Sequence, residues 1–429
     1  LDYPDPSTPY DPSHPSEIRA AHPQVIAAAN TLIAACTQLA TFVQQPFLVI
    51  CDAAIGYNLP ACLRFLEATH VVEILRDAGD GGLHIRDIAA QNGVNEVILA
   101  HVLRLLATHH ILLERSPDVF ANTRISSLID TGKSVNELCM RVPKYDDTNG
   151  IAAFVGLCTD ELFKAAAYLT EAFTGMTVSL PSTTAFNIAF STSAGFFDGK
   201  TRKPNTHRLA RFSKAMKGTG AWEAPGAILH GFDWTSLPRG SRVVDVGGGI
   251  GSTTMVLARA FGELAFVIQD RKVVVGLGIA AWKAQCPEML DSGRVPIKDA
   301  DVFLLRAVLH DWPDRYAKRI LRRLREAAEL GTRLIIADHV LPLAFWDLPS
   351  VLANVEGAER TLAPAPLLPN LGKASANAYW MDLTMQAIFN GKERTLREMC
   401  ALALSAGWRV VRVTRAEGSL FGHIVCVPI

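Results

Sequence analysis

The stretch "RVVDVGGGIG", residues 242–251, joins an apolar run to a turn rich in glycine. The run is typical of a buried β-strand, and the residues that follow at 252–261, "STTMVLARAF", have the spacing of a helix. Glycines between a strand and a helix let the backbone turn sharply and approach a ligand without a Cβ atom in the way. The stretch therefore predicts a strand, turn and helix that bind a small molecule.

The same alternation continues beyond this unit. Apolar runs with the pattern of strands, "LAFVIQD", "DVFLLR" and "TRLIIAD", are separated by segments with helical spacing. Such alternation is typical of a mostly parallel sheet with helices on both faces. Residues 408–429 instead predict two strands around a short glycine-containing turn, an antiparallel pair at the sheet edge. We therefore predict an α/β, Rossmann-like domain over residues 236–429.

Two segments of this domain depart from regular alternation. Between Cys286 and Asp301 stand only the residues "PEMLDSGRVPIKDA", too few for a further strand and the crossover that must follow it. We infer that residues between Val295 and Pro296 are missing from the sequence. The segment 342–375 is a long insertion rich in Pro and Leu, which either covers the site or forms a surface loop or subunit contact.

The first 149 residues predict a helical domain of their own. A Pro- and Ser-rich lead-in at 1–16 is expected to be extended and poorly ordered. Four segments with helical patterns follow it, at 17–45, 62–79, 83–93 and 95–114. Two short strands within 111–126 follow, and three helices with a hairpin predict a winged helix. For contacts to DNA its helix 95–108 offers only Asn95, Glu96, His101 and Arg104, whereas DNA-binding helices cluster Lys and Arg. Packing against another subunit is therefore favoured over DNA binding.

Composition excludes several classes of protein. Lys and Arg together number 42, as do Asp and Glu, so the formal net charge is zero and nucleic acid is not expected as the main partner. The basic run 318–325 has apolar residues at helical spacing, so its charges form the solvated face of a helix. The eight cysteines include no CxxC pair and predict reduced thiols in a cytoplasmic protein. Neither an uninterrupted apolar run of ~18 residues nor a secretory signal is seen.

Residues 150–235 predict a mostly helical connector. Aromatic and sulfur-containing side chains recur in it: Phe186, Phe190, Phe196, Phe197, Phe212 and Met216. They are either ordinary core residues or the lining of a substrate pocket, and the pattern alone leaves both interpretations open.

Asp270 indicates a nucleoside-bearing cofactor, because it stands about 20 residues beyond the glycine turn at the end of the second strand. An acidic side chain there can accept both ribose hydroxyls. Asp245, two residues before the first glycine, would repel the pyrophosphate of a dinucleotide but suits the cationic methionine end of S-adenosylmethionine. We therefore expect S-adenosylmethionine rather than NAD.

Five stretches carry a family resemblance: "VVDVGGGIGSTT", "FVIQD", "DVFLLRAVLHDWPD", "LIIADHVLP" and "GKERTLREM", in this order. Over nearly its whole length the chain resembles the caffeic-acid-type O-methyltransferases, in the branch found in fungi. The resemblance implies a class I methyltransferase fold and methyl transfer from S-adenosylmethionine to a hydroxylated aromatic small molecule of secondary metabolism. It also implies a homodimer through the N-terminal domain. We expect no metal, since no compact carboxylate cluster for Mg²⁺ is seen, and no membrane partner.

The matched motifs also imply site residues. His310 corresponds to the general base and Glu393 to one of two flanking acids; the other, usually glutamate, is Asp338 here, one methylene shorter. For the cofactor we expect contacts from Asp245, Gly247, Gly249, Asp270, Arg271, Arg306 and Trp312, with Arg306 where the family often has lysine and Trp312 near the adenine. For the substrate we expect contacts from Phe186, Phe190, Phe197, Met216 and Met385.

These residue types suit the reaction. A phenol has a pKa of ~10 and is a poor nucleophile at neutral pH, whereas a histidine with a pKa of ~6.5 is available there as a neutral base. An acid on the other ring nitrogen fixes the tautomer and stabilises the imidazolium that forms. Two neighbours have other expected roles: Asp311 caps the next helix, and His339 points to the side opposite Asp338.

Two other functions stay open at this point. One is a non-catalytic winged-helix regulator that keeps the methyltransferase fold and binds DNA, which the zero net charge disfavours. The other is an enzyme that performs different chemistry, such as decarboxylation or hydroxylation, with the same cofactor. The retained His310 and Glu393 argue against both.

Overall fold

The structure, a computed structural model, describes residues 3–140, 143–174, 184–197, 203–219, 226–289, 300–345, 352, 354–359, 363–415 and 421–429. These residues form two compact units. Unit 1 consists of the described residues within 1–26, 39–174 and 185–221, and unit 2 of those within 27–38, 175–184 and 222–429.

The N-terminal half is mostly helical. The elements up to residue 221 are α1 (Pro15–Ala20), α2 (Pro23–Val43), α3 (Pro46–Ile55), α4 (Asn58–Ala68), α5 (Val71–Ala78), β1 (Leu83–His84), α6 (Ile85–Asn92), α7 (Glu96–Thr108), β2 (Leu112–Ser116), β3 (Val119–Asn122), a 3₁₀ turn (Ser126–Ile129), α8 (Val135–Cys139), α9 (Ile151–Leu157), a π-helical turn (Cys158–Leu162), α10 (Phe163–Ala166), α11 (Leu169–Thr174), α12 (Ala185–Ala189) and α13 (Lys203–Gly218). The middle of α2 belongs to unit 2. The three strands form an antiparallel sheet in the order β1-β3-β2. Its side chains share one core with α4 to α7, including Leu66, Ile74, Ile88, Leu103 and Phe120.

Two sequence predictions in unit 1 differ from the structure. Segment 62–79 is not one helix, because His70 has a left-handed conformation (φ 59°) and separates α4 from α5. The lead-in is not extended throughout either, since turns occur at 6–7 and 12–13, and the amide of Tyr10 donates a 2.8 Å hydrogen bond to Oγ of Ser127. This contact fastens the lead-in to the 3₁₀ turn that follows β3.

Helices α2 and α3 expose much of their apolar surface. The spans Pro23–Val43 and Pro46–Ala68 are long and apolar enough to cross a membrane, which the count of uninterrupted apolar residues did not indicate. Length and composition alone are weak support for a membrane span, since interface helices and core helices also meet them. The large side chains exposed on these helices within unit 1 are Leu39, Phe42, Val43, Phe47, Leu48, Ile50 and Ile55.

Unit 2 has the predicted alternation of strands and helices. Its elements beyond residue 226 are α14 (Ala227–His230), a 3₁₀ turn (Trp234–Ser236), β4 (Arg242–Val246), α15 (Ser252–Ala260), β5 (Ala265–Gln269), α16 (Lys272–Gln285), a 3₁₀ turn (Pro287–Met289), β6 (Val302–Arg306), a 3₁₀ turn (Leu309–Asp311), α17 (Asp314–Glu326), β7 (Arg333–His339), a 3₁₀ turn (Gly372–Ser375), α18 (Ala376–Phe389), α19 (Leu396–Ser405), β8 (Trp408–Arg415) and β9 (Phe421–Pro428). The six strands are ordered β5-β4-β6-β7-β9-β8. The first four are parallel, and β9 and β8 are antiparallel, which confirms the α/β fold and its C-terminal strand pair.

Helices cover both faces of this sheet. On one face Val244, Phe303 and Ile336 are buried against Leu321 of α17 and Leu402 of α19. On the other, Val243, Leu304 and Ile335 are buried against Leu257 of α15. Because both faces are covered, the carboxyl ends of the parallel strands form the edge at which ligands bind in sheets of this type.

The two irregular segments have different outcomes. Val295 and Pro296 lie outside the described residues, so the inference of missing residues stays a hypothesis. In the insertion, Glu356 pairs with the edge strand β8: its amide donates to the carbonyl of Val411 (2.9 Å), and its carbonyl accepts from the amide of Val413 (2.8 Å). A part of the insertion therefore covers a sheet edge that would otherwise be open to pairing.

Candidate active site

Three acidic side chains surround a histidine at the carboxyl edge of the sheet. His310 and Asp311 lie in the 3₁₀ turn between β6 and α17, Asp338 is the next-to-last residue of β7, and Glu393 lies between α18 and α19. Strands β6 and β7 are parallel neighbours, so the turn after β6 lies beside the end of β7. The structure thus brings together the residues that were predicted as the base and its flanking acids.

The two predicted acids contact the ring differently. Nδ1 of His310 lies 2.7 Å from Oε1 of Glu393, a hydrogen bond, but 3.9 Å from Oδ1 of Asp338. Asp338 is buried, and neither of its oxygens has a hydrogen-bond partner among the described residues. The amide of Glu393 donates to Oδ1 of Asp382 (2.9 Å), which fixes that acid in turn. Glu393 is therefore the acid that orients the imidazole.

Charge and burial shift the pKa values in this cluster. Burial would lower the pKa of His310, but the charges of Glu393 and Asp338 outweigh it and raise that pKa to about 10. Burial raises the pKa of Asp338, against the opposing pull of His310. The charges around the ring therefore favour its imidazolium form more strongly than its unperturbed pKa of ~6.5 predicts.

Asp311 is not the helix cap that the sequence predicted. Helix α17 begins at Asp314, and no side chain caps it. The carboxylate of Asp311 instead lies beside the ring, with Oδ1 3.6 Å from Nε2 of His310. Burial raises the pKa of Asp311 to about 6, against the pull of His310. It therefore adds negative charge at the ring nitrogen that Glu393 leaves free.

Two residues within two positions of Glu393 contact the same turn and were not singled out from the sequence. A Cβ atom on Gly391 would overlap the carbonyl oxygen of His310. Arg394 is buried and donates hydrogen bonds to the carbonyl oxygens of Leu309 (2.9 Å) and Trp312 (2.8 Å). Their one signal in the sequence is adjacency to Glu393 within "GKER".

The predicted cofactor turn lies at the end of β4. Gly247 and Gly249 have positive φ (76° and 61°), a conformation that residues with a Cβ atom rarely adopt. A Cβ atom on Gly249 would meet nothing within 4 Å, so the space above the turn is open. Asp245 lies beneath the turn: it is buried, accepts a 2.6 Å hydrogen bond from Oγ1 of Thr254, and burial raises its pKa to about 6.

Other predicted cofactor residues border the same space. Oδ2 of Asp270 accepts a hydrogen bond from the amide of Gly249 (2.9 Å), and the exposed Arg271 follows it. Trp312 lies along a groove of about 390 Å³ that is lined by Val246, Gln269, Tyr316, Arg319, Ile320, Arg323 and Leu324. The groove combines two aromatic rings with the apolar side chains of Val246, Ile320 and Leu324, and Gln269 and two arginines also line it.

Arg306 and Met385 also belong to unit 2. Arg306 ends β6, and its guanidinium carbon lies 5.2 Å from the ring centre of Phe421. Its positive charge opposes the rise in the pKa of Asp245, as expected for a cation near the glycine turn. Met385 is buried in α18, which packs against the turn that carries His310.

The remaining predicted substrate residues belong to unit 1, where most of them pack on one another. The ring centre of Phe186 lies 4.8 Å from that of Phe190 and 5.3 Å from that of Phe196. Phe197 lies 5.3 Å from Phe196 and joins the same cluster. Met216, by contrast, is 38% exposed. The phenylalanines thus form a small aromatic core within their own unit.

The cluster around His310 also has the donor set of a metal centre. One nitrogen of His310 and one oxygen each of Asp338 and Glu393 lie within 4.8 Å of one another. A nitrogen and two carboxylates at this spacing are a ligand set that divalent metals such as zinc can use. Two of the three groups are already paired by the hydrogen bond between His310 and Glu393.

Comparison with known sequences points in one direction. A family model described as an O-methyltransferase domain matches residues 167–363. An O-methyltransferase of Armillaria gallica is 39% identical over 97% of this chain and 92% of its own length. In Phanerochaete chrysosporium, 4-O-methyltransferase 1 is 37% identical over 100% of this chain and 94% of its own. That alignment extends over 447 residues, more than the 429 of this chain, so the relative has residues that this chain lacks.

Solved structures share the fold. The mitomycin 7-O-methyltransferase MmcR has a TM-score of 0.65 and 21% identity over 92% of this chain and 100% of its own. The calicheamicin-biosynthesis methyltransferase CalO1, with S-adenosylhomocysteine bound, has a TM-score of 0.61 and 25% identity over 90% and 100%. A pericyclic reaction enzyme has a TM-score of 0.68 and 18% identity over 95% and 100%, which shows that the fold also serves other chemistry. The class I methyltransferase fold is confirmed.

Proposed function

The chain belongs to the O-methyltransferase family, and on that premise we propose that it methylates a hydroxyl of a small phenolic compound, with S-adenosylmethionine as methyl donor and His310 as general base. The observation that carries the base assignment is the 2.7 Å hydrogen bond between Nδ1 of His310 and Oε1 of Glu393. With Nδ1 engaged by an acid, Nε2 is the nitrogen that can take a proton from a substrate.

The electrostatics of the cluster support this role. The raised pKa of His310, about 10, is close to the ~10 of a phenol, so the proton can pass between them at little cost in free energy. His310 must first lose its own proton to solvent. Nε2 then accepts the phenolic proton while Glu393 stabilises the imidazolium, a contribution of roughly 10²–10⁴-fold in rate.

The residues around the glycine turn would hold the cofactor. When bound, S-adenosylmethionine supplies an electrophilic methyl group on a sulfonium. We assign the adenosine to the open turn at Gly247 and Gly249 and to the groove beside Trp312, with Asp270 and Arg271 at the ribose. Arg306 would pair with the methionine carboxylate. Asp245 supports the turn from beneath through Thr254.

The substrate assignment rests on relatives and on unit 1. Relatives named 4-O- and 3-O-methyltransferases support selection of one hydroxyl among several. Met385 would touch the aromatic ring of the substrate from α18. Phe186, Phe190, Phe197 and Met216 stay proposed contacts, and their aromatic cluster offers the apolar surface that a phenolic ring prefers.

A second copy of this chain is the proposed partner of α2 and α3. Phe42 and Phe47 are 75% and 71% exposed, on helices that also expose Leu39, Val43 and Ile50. An apolar surface of this kind marks an interaction site in a monomer. Light scattering should give a dimer for the wild type and a monomer for the Phe42→Asp, Phe47→Asp variant; insertion of both proteins into lipid vesicles would instead point to a membrane.

The alternative of a DNA-binding regulator has less support. Arg104, the one arginine of α7, which has no lysine, already pairs with Glu114 (2.8 Å) and Asp118 (2.7 Å). A helix whose cation is neutralised in this way offers little to DNA phosphates. A gel-shift with bulk DNA at moderate salt should show no complex.

The decisive experiment compares wild type, His310→Ala and His339→Ala with labelled S-adenosylmethionine and a panel of phenols, catechols and flavonoids. His339 is the matched control, because it ends β7 and packs edge-on against Phe421 at 5.3 Å. Loss of roughly 10²–10⁴-fold in His310→Ala alone is expected. Methyl transfer at the wild-type rate by His310→Ala would remove His310 as the base.

A further inference from the structure

The turn that carries His310 has an unusual backbone. Ala307, the first residue after β6, has a left-handed conformation (φ 52°) although it is not a glycine. Such a conformation costs roughly 1–2 kcal/mol and persists where surrounding contacts hold it. The chain then passes through the 3₁₀ turn Leu309–Asp311 before α17 begins. Some other element must therefore fix the position of the turn.

Arg394 makes the contacts that could do so. It is 1% exposed, and its guanidinium donates to the carbonyl of Leu309 through Nη1 (2.9 Å) and to that of Trp312 through Nη2 (2.8 Å). Nε and Nη2 also donate to Oδ1 of Asp314, the first residue of α17, at 3.0 and 2.9 Å. One side chain is thus bonded to the backbone on both sides of His310 and to the start of the next helix.

The backbone of Arg394 is anchored as well. Its carbonyl accepts a 3.0 Å hydrogen bond from the amide of Leu341, just beyond β7. The residue before it, Glu393, holds the imidazole itself. Glu393 therefore holds the ring of His310, and the adjacent Arg394 holds the turn that carries it. The hydrogen bond between Arg394 and Leu341 anchors this pair of residues at the end of β7.

The chemistry of arginine suits this position. A planar guanidinium presents several fixed donors at once, whereas the ammonium of lysine is a compact point charge. A buried cation is tolerated only where its donors are satisfied, and here the carbonyls of Leu309, Trp312 and Lys392 and one carboxylate accept from it. The hydrogen bond from Arg394 also helps to lower the pKa of Asp314, although burial opposes it.

We propose that Arg394 is a positioning residue for His310: it sets the turn so that Nδ1 meets Glu393 and Nε2 faces the substrate. The effect on rate rests on the proposed function, since it requires His310 to be the base. The effect on the ring does not, because the contact between His310 and Glu393 exists without substrate.

The test follows the ring and the reaction separately in Arg394→Gln, with Arg325→Gln as the matched control. Arg325 also bonds to a backbone carbonyl in unit 2, that of Ile429 at 3.0 Å, and makes no hydrogen bond to the turn of His310 among the described residues. Nuclear magnetic resonance of ¹³C-labelled histidine, assigned with His310→Ala, gives the pKa of His310. Calorimetry gives the affinity for S-adenosylmethionine, and kcat and KM are measured with the best phenol of the panel.

In Arg394→Gln two effects on the pKa of His310 oppose each other: the loosened contact with Glu393 lowers it, and the loss of a cation that acts on the same cluster raises it. Arg394→Lys keeps the charge, so in that variant the pKa of His310 should fall toward 6.5 through the loosened contact alone. We expect kcat of Arg394→Gln to fall about 100-fold, with cofactor affinity within about threefold of wild type. Arg325→Gln should change neither the pKa of His310 nor kcat. If Arg394→Gln does not fold, Arg394→Lys alone tests the proposal, with a lowered pKa of His310 and a smaller fall in kcat.

A folded variant with an unchanged pKa of His310 and an unchanged kcat, but a lower melting temperature, would reduce Arg394 to a stabilising residue and overturn the proposal. A lowered pKa of His310 together with full activity in His310→Ala would keep the positioning role and reject the base assignment. The two proposals therefore fail in different measurements.

Discussion

Oε1 of Glu393 lies 2.7 Å from Nδ1 of His310, whereas Oδ1 of Asp338 lies 3.9 Å from that nitrogen. Asp338 is held by β7 and is one methylene shorter than the glutamate that the family usually has there. It is near enough to shift the charge of the ring, and its oxygens accept no hydrogen bond from any described residue. The two acids should therefore have separable effects, orientation from Glu393 and electrostatics from Asp338.

The first prediction compares their amide variants. Glu393→Gln should lower kcat by at least about 100-fold, because the amide fails to fix the tautomer and to stabilise the imidazolium. Asp338→Asn should cost about tenfold or less, since it removes a charge at 3.9 Å and no hydrogen bond. Steady-state rates with a common phenol measure both. Equal losses in the two variants would contradict the division of roles.

The second prediction concerns the pH dependence of kcat/KM. Only the deprotonated form of His310 accepts the phenolic proton, and its pKa is raised to about 10. The rate should therefore rise about tenfold per pH unit above neutrality and level off near the pKa of His310. Glu393→Gln should move the midpoint to lower pH, because Glu393 is the charge that raises this pKa most. Ionisation of the phenol is the same for both proteins, so an unshifted midpoint would assign the profile to the substrate.

Much of the fold could be predicted because its signals are local. Strands β4, β6 and β7 were apparent as apolar runs, and the glycine turn was recognisable from residue type. The break at His70 was not, since a left-handed histidine has no pattern in sequence. Pairing of Glu356 with β8 likewise depends on a contact between distant residues.

The site was predictable in its members and less so in its geometry. His310, Asp338 and Glu393 were found through motifs, but the raised pKa of His310 arises from burial and charge that only the fold supplies. Asp311 was assigned as a cap because it precedes a helix, yet the 3₁₀ turn directs it to the ring. Arg394 could not be identified, since nothing in the sequence says that this arginine is buried.

The third prediction links Asp338 to stability. A carboxyl whose folded pKa is raised above its unfolded value favours its protonated form, so its ionisation destabilises the fold. The contribution of the protonated Asp338 to the free energy of unfolding is fully present below the unfolded pKa of ~3.9. It is lost as pH rises through the raised pKa of the folded state. Asp338→Asn should therefore show a smaller fall in melting temperature than wild type between about pH 4 and 8. Calorimetric scans across this range test it, and parallel curves would contradict it.

The fourth prediction addresses metal. The atoms of His310, Asp338 and Glu393 are close enough to bind a cation, but the proposed reaction uses the histidine as a base. Dialysis against EDTA should leave the rate unchanged, and emission spectroscopy of the protein should find no stoichiometric metal. Loss of activity on chelation, with recovery on adding Zn²⁺ or Mn²⁺, would make the cluster a metal centre and reject the base mechanism.

The last prediction concerns Gly391. A methyl group there would overlap the carbonyl of His310, which is backbone and cannot rotate away. Gly391→Ala should therefore push the turn from its position, with a loss of about 1–3 kcal/mol in the free energy of unfolding. We also expect kcat to fall at least about tenfold, while the affinity for S-adenosylmethionine changes little. Gly276→Ala in α16 is the control, because its Cβ would meet nothing within 4 Å and a helix gains stability from the change. Wild-type activity in Gly391→Ala, with calorimetric stability intact, would show that the turn can move without harm to the site.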